Sequence, residues 1–72
     1  MRILDVTKLK CPLPILKLSK ELAQMASGEQ LQLIADDSAT LHDIPAFLRQ
    51  TGHQLINQNS ENNIFNFLIC KK

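Results

Sequence analysis

Cys11 lies in the run Lys8-Leu9-Lys10-Cys11-Pro12-Leu13-Pro14, between a basic turn and a proline-marked helix start. A cysteine at a helix N-terminus meets the positive end of the helix dipole and unpaired backbone amides, both of which favour thiolate over thiol. Nucleophilic sulfur is the chemistry this placement implies. The prolines limit the activation, because Pro12 and Pro14 have no N–H to offer while Leu13 and Ile15 keep theirs. A dipole contribution of ~0.5–1 kcal/mol lowers a thiol pKa by roughly half a pH unit, and Lys8 and Lys10 add to this if their ammonium groups lie close. Pro12 suits the first helical position and Pro14 the first turn, so together they are expected to orient the sulfur.

The elements that must hold this cysteine come from a chain of 72 residues, enough for one domain, residues 1–72, with a modest core. The start Met1-Arg2-Ile3-Leu4-Asp5 meets a charge before any apolar stretch forms, and no apolar run is long enough to span a bilayer. A reducing, cytoplasmic setting is expected, with no membrane partner. The net charge of +1 and the absence of Trp and Tyr argue against a dedicated nucleic-acid surface. Charge is unevenly placed: Lys8, Lys10, Lys17 and Lys20 gather around the Cys11 segment, and Asp36, Asp37 and Asp43 follow later.

Residues 3–6 form a first strand by pattern. From residue 12 to about 26, Ile15, Leu18, Leu22 and Ala26 recur at helical spacing, with Leu16 and Ala23 beside them, until Ser27-Gly28 stops the helix. Residues 29–35 alternate, with Leu31, Leu33 and Ala35 on one side. A strand reached through a crossover helix is expected to run parallel to the first. Pro45 disfavours a continuous helix from Ser38, so a turn or 3₁₀ piece is expected over residues 39–42, followed by a helix capped by Asp43 that ends at Thr51-Gly52. Two strands, 53–58 and 64–70, are joined through Asn59-Ser60-Glu61-Asn62-Asn63, which has the composition of a hairpin loop. The order β-α-β-α-β-β predicts an α+β fold: a two-layer α/β sandwich with a mixed four-stranded sheet and both helices on one face.

These segments resemble the small bacterial sulfur-carrier proteins of the TusA/SirA/YedF type. The likeness runs from Leu4 to about Lys71 and rests on Leu4-Asp5, Leu9-Lys10-Cys11-Pro12-Leu13-Pro14, Ile34-Ala35-Asp36-Asp37-Ser38-Ala39-Thr40, Asp43-Ile44-Pro45-Ala46-Phe47 and Gly52-His53-Gln54-Leu55. It implies a carrier that accepts sulfane sulfur as a persulfide on Cys11 and relays it to a partner's cysteine. The implied partners are a cysteine desulfurase or other sulfur donor and a downstream relay protein, on a route such as that to 2-thiouridine in tRNA. No cofactor is implied beyond the transient covalent sulfur. Three positions depart from the pattern: Lys8 replaces a usual glycine, Leu13 stands where the tRNA-thiolation carriers tend to have an acidic residue, and Ser38 replaces a common proline.

Persulfide transfer needs an accessible thiolate to attack a donor's outer sulfur and then an exposed persulfide for the next thiolate to attack. A nearby resolving cysteine would expel the sulfur as sulfide, and Pro14 stands where a Cys-x-x-Cys motif would have its second cysteine. That spacing disfavours thioredoxin-type redox work and a soft-metal loop. Cys70 alternates away from Phe65, Phe67 and Ile69 and is expected to be a nonessential strand cysteine. Asp36 and Asp37 fit caps and turn residues better than metal ligands. Asp43 fits a helix cap first and a partner contact second, while His42 and His53 fit a solvated position and a strand-start hydrogen bond. Lys8, Lys10, Lys17 and Lys20, with Leu13, are candidate partner-docking residues around Cys11. The functional alternatives are a noncatalytic regulatory or interaction module on the same scaffold and, more distantly, RNA binding through the sheet.

Overall fold

The computed structural model describes residues 2–72; Met1, part of the charged start considered above, lies outside the described residues. The elements are β1 (Arg2–Asp5), α1 (Leu13–Ala23), β2 (Gln30–Ala35), α2 (Thr40–Thr51), β3 (Gln54–Glu61) and β4 (Ile64–Cys70). They build one mixed sheet in the order β1-β2-β4-β3. β1 runs parallel to β2, while β4 pairs antiparallel with both β2 and β3. The order and the mixed sheet are those expected from the sequence pattern.

Burial explains why the helices cover the sheet. Leu31, Leu33 and Ala35 of β2 and Phe65, Phe67 and Ile69 of β4 alternate into a core shared with Leu18 and Leu22 of α1 and Ile44 and Leu48 of α2. Among the described residues the other sheet face has no helix layer. There Gln32 donates to the Asn66 side chain at 3.0 Å across the β2–β4 pair. The sheet's two outer strands differ: β1 has only four residues and carries Arg2 and Asp5, while β3 has eight and is exposed except at Leu55.

Several boundaries depart from the sequence expectation. α1 ends at Ala23, because Gln24 and Met25 turn their N–H groups to the carbonyls three residues back. Ala26 is therefore exposed, and Met25 fills the core instead. α2 begins at Thr40 with Ala39 as its N-cap, so Asp43 lies inside the first turn and does not cap the helix. The tight turn expected near residues 39–42 exists as bonds from Thr40, Leu41 and His42 to the carbonyls three residues earlier. It merges into the helix, which leaves Pro45 in the interior. Strand pairing also continues through residues 59–61, and the connection is the two-residue turn Asn62-Asn63, with φ of 54° and 63°. Positive φ at both positions is the type I′ combination, whose twist matches that of a hairpin. Ile56 is the extra residue of a bulge between Leu55 and Asn57.

Lys8 has φ of 70°, in the left-handed region that glycine reaches without steric cost. A side chain there costs about 1–2 kcal/mol, partly offset by the larger entropy glycine loses on folding. Lys8→Gly should therefore stabilise the protein by about 0.5–1 kcal/mol. The measurement is urea unfolding followed by circular dichroism, and a loss of stability in the variant would refute strain at this position.

Candidate functional site

The parallel pairing of β1 and β2 brings the chain that leaves each strand to the same end of the sheet. After β1, Val6 turns inward and is fully buried, and its N–H bonds Ile34 O at 2.8 Å. The segment that follows is held by carboxylates from the β2–α2 connection. Asp36 accepts the Lys8 N–H at 2.9 and 3.1 Å through its two oxygens, and Asp37 Oδ2 accepts the Cys11 N–H at 3.0 Å. Asp37 Oδ1 also accepts the Ala39 N–H at 3.2 Å, and its carbonyl accepts the Thr40 hydroxyl at 2.7 Å. One aspartate thus braces the cysteine loop and the start of α2. These two residues were expected only as caps and turn formers, and the strand topology was the available signal that they face Cys11.

Cys11 itself is exposed, and its Sγ donates to Asp43 Oδ2 at 3.3 Å. The expected lowering of its pKa is not what the surroundings produce. The thiol is pushed above its ordinary value, first by the hydrogen bond to Asp43, then by partial desolvation and by the charges of Asp43 and Asp37. The helix start offers little to oppose them. Pro12 is the N-cap residue and not the first helical residue, Pro14 sits in the first turn, and the Leu13 N–H is taken by Lys10 O at 2.8 Å. The dipole is equivalent to roughly half a charge, whereas the nearest carboxylate oxygen lies at hydrogen-bond distance with a full one. Pro14 is also part of the core, with its ring fully buried, so it anchors α1 as well as opening it.

The expected basic collar is divided. Lys10 lies close enough to Asp37 to favour its charged form, and Lys8 does the same for Asp5. Lys17 and Lys20 line a shallow groove with Leu4, Glu21 and Gln24. Lys20 is in the last turn of α1, about 10 Å along the axis from Leu13 at the helical rise. Leu13 and Leu16 on α1 and Leu41 on α2 leave large apolar side chains exposed. Cys70 is half-buried on the helix-free face of the sheet, His53 Nδ1 accepts the Lys72 N–H at 3.0 Å, and His42 is exposed. The opposite end of the molecule is tied by Arg2, which reaches Glu21 at 2.8 Å and Glu29 at 3.0 Å, and by Lys71 Nζ on Leu22 O at 2.6 Å.

A two-layer α/β sandwich that displays one exposed cysteine, on a loop braced by carboxylates beside its parallel strands, defines a small protein with a single-thiol site. The chain belongs to the Sulfurtransferase TusA family, whose sequence model matches residues 2–71. It is 46% identical over 69 residues to a putative sulfur carrier protein of Neisseria meningitidis serogroup A, covering 96% of this chain and 93% of that one. It is also 46% identical over 68 residues to the sulfur carrier protein TusA of Allochromatium vinosum, covering 94% and 90%. In fold it is similar to the crystal structure of a SirA-like protein from Desulfitobacterium hafniense, with a TM-score of 0.85 at 19% identity, covering 97% of this chain and 96% of that one.

The two N–H donors hold the Asp37 carboxyl below the ordinary carboxylate range. A depressed folded-state value adds stability above the unfolded value, and that contribution is lost as pH falls through the folded one. Asp37→Asn should therefore weaken the fold at neutral pH, with the gap to the parent closing below about pH 4. Thermal melts from pH 2 to 7 check this; a gap that stays constant with pH would remove Asp37's charge from the account.

Proposed function

We propose that this protein carries sulfane sulfur as a persulfide on Cys11, accepting it from a donor such as a cysteine desulfurase and passing it to a cysteine of a downstream relay protein. The observation that carries the reading is an exposed thiol, fixed through its own backbone N–H by Asp37 in a chain of the Sulfurtransferase TusA family. The relatives named as sulfur carriers support it across nearly the whole length. The exchange is Cys11-SH + donor-S-SH → Cys11-S-SH + donor-SH. The bond from Sγ to the outer sulfur forms, the donor's S–S bond breaks, and the proton leaving Cys11 balances the one the donor thiolate takes up. No net oxidation occurs, so an oxidant or resident cofactor has no role.

Pro12 and Pro14 orient the thiol by fixing the chain on either side of Leu13. Lys8, Lys10, Lys17 and Lys20, with Leu13, provide a docking surface that combines positive charge with exposed apolar area. Asp43 belongs to the same contact region. The proposed setting is cytoplasmic, and among the described residues no helix is long and apolar enough to cross a membrane. A tRNA-thiolation route is one destination for the sulfur; regulation through docking alone is the competing reading.

Incubation with a cysteine desulfurase and cysteine should add one sulfur atom to Cys11, read by mass spectrometry. Cys11→Ser should fold and take up none, while Cys70→Ser should load as the parent does. Sulfur retained on Cys11→Ser would move the site elsewhere, and a parent protein that never loads would leave docking as the function. Reversing Lys17 and Lys20 to Glu should slow loading mainly through association, with the deficit shrinking as salt rises. An unchanged rate at low salt would exclude these lysines from docking.

A further inference from the structure

Four aspartates lie around the cysteine loop, and they are not equivalent. Asp36 and Asp37 each accept backbone N–H groups, while Asp5, nearby at the end of β1, accepts the N–H and the hydroxyl of Thr7 at 2.9 and 2.7 Å. Among the described residues Asp43 has no backbone donor and no salt bridge to its carboxylate. Its one hydrogen bond comes from the Cys11 thiol. Lys10 is placed to offset Asp37, and Lys8 to offset Asp5. The adjacent titratable side chain on α2, His42, is exposed. The negative charge of Asp43 is therefore left standing at the reacting sulfur.

We propose that Asp43 guards the cargo: its charge, held against the Cys11 sulfur, turns away small anionic thiols and admits a partner that brings a cationic side chain to the same position. The inference rests on the sulfur-carrier reading and extends it to the choice of acceptor. In the loaded protein the outer sulfur extends about 2.05 Å beyond Sγ, and Sγ has no proton left to donate. Loading thus ends the hydrogen bond that Sγ gives Asp43 in the empty protein and keeps the carboxylate charge beside the persulfide, whose one proton sits on the outer sulfur. An incoming thiolate must approach that charge, at a cost that a neighbouring ammonium or guanidinium cancels.

Discharge is Cys11-S-SH + R-SH → Cys11-SH + R-S-SH. The acceptor thiolate bonds to the outer sulfur, the S–S bond to Sγ breaks, and the electron pair leaves on Sγ. Sγ then takes up the proton the acceptor gave up and donates again to Asp43. The raised thiol pKa acts in the same direction, because a more basic thiolate is a slower leaving group. Asp43 is a positioning and selectivity residue here, since the reacting atoms belong to the two cysteines.

The test loads the full-length protein with a desulfurase and cysteine, confirms the added sulfur by mass, and follows its loss to mercaptoethanesulfonate, 2-mercaptoethanol and cysteamine at equal thiolate concentration. The parent should discharge fastest to cationic cysteamine and slowest to the anionic sulfonate, with a spread of about five- to tenfold at low salt. The spread should shrink with added salt, collapse to within about twofold in Asp43→Asn and return in Asp43→Glu. Equal rates for the cationic and anionic thiols in the parent overturn the proposal whether or not the variants fold, and so does a spread that survives in a folded Asp43→Asn. Alkylation of the empty protein by iodoacetate and iodoacetamide separates the two readings. A protein that discriminates against iodoacetate through Asp43 but never loads sulfur defeats the carrier reading and, with it, the guarding of cargo. One that loads normally yet shows neither form of discrimination defeats the guard alone.

Discussion

The parallel pairing of β1 with β2 is the constraint on which the rest of this structure depends. Arg2 through Asp5 lie in register with Leu31 through Ile34, so the chain leaving β1 and the chain leaving β2 emerge side by side. A β-strand, crossover helix and parallel strand permits this within so short a sequence. Without it, Asp36 and Asp37 would have no reach to the backbone of Lys8 and Cys11. The cysteine would then sit on an untethered turn. The Cys11 thiol is thus positioned by backbone hydrogen bonds to two side chains 26 and 28 residues further along the chain, while the proline-marked helix start supplies a second restraint.

That arrangement reverses a simple view of helix-start cysteines. Dipole and lysines suggest an activated thiolate, yet the side chains that hold the loop are carboxylates, and carboxylates favour the protonated sulfur. Fixing the loop and activating the thiol are therefore opposed in this site. A carrier tolerates the compromise more readily than a redox catalyst would, because a more basic thiol is a stronger nucleophile once deprotonated and releases its cargo less readily to chance acceptors.

Much of the fold was legible in the sequence because apolar alternation and helical spacing are direct records of burial. Phe65, Phe67 and Ile69 on one strand, and Leu18 and Leu22 on one helix face, are cases where pattern and packing agree. The misread places were those where local composition has two solutions. Asn59-Ser60-Glu61 looks like a loop because it is polar, but an outer strand that little covers can be polar on both sides. Asp43 looks like a cap because it precedes Pro45, but Asp37, with Thr40, opens the helix earlier. Cys11 stood out through its flanking residues. Its link to Asp37 and Asp43 depends on strand order, which no single segment encodes.

The two outer strands bear on a different property, behaviour at high concentration. An exposed strand is a template for another chain when it is long, flat and apolar. β1 is too short to serve, and β3 is interrupted by the bulge at Ile56 and polar from Asn57 to Glu61. Neither edge invites sheet-to-sheet stacking between copies. With a net charge of +1 supplying almost no mutual repulsion, it is the edges of the sheet that oppose strand pairing between copies.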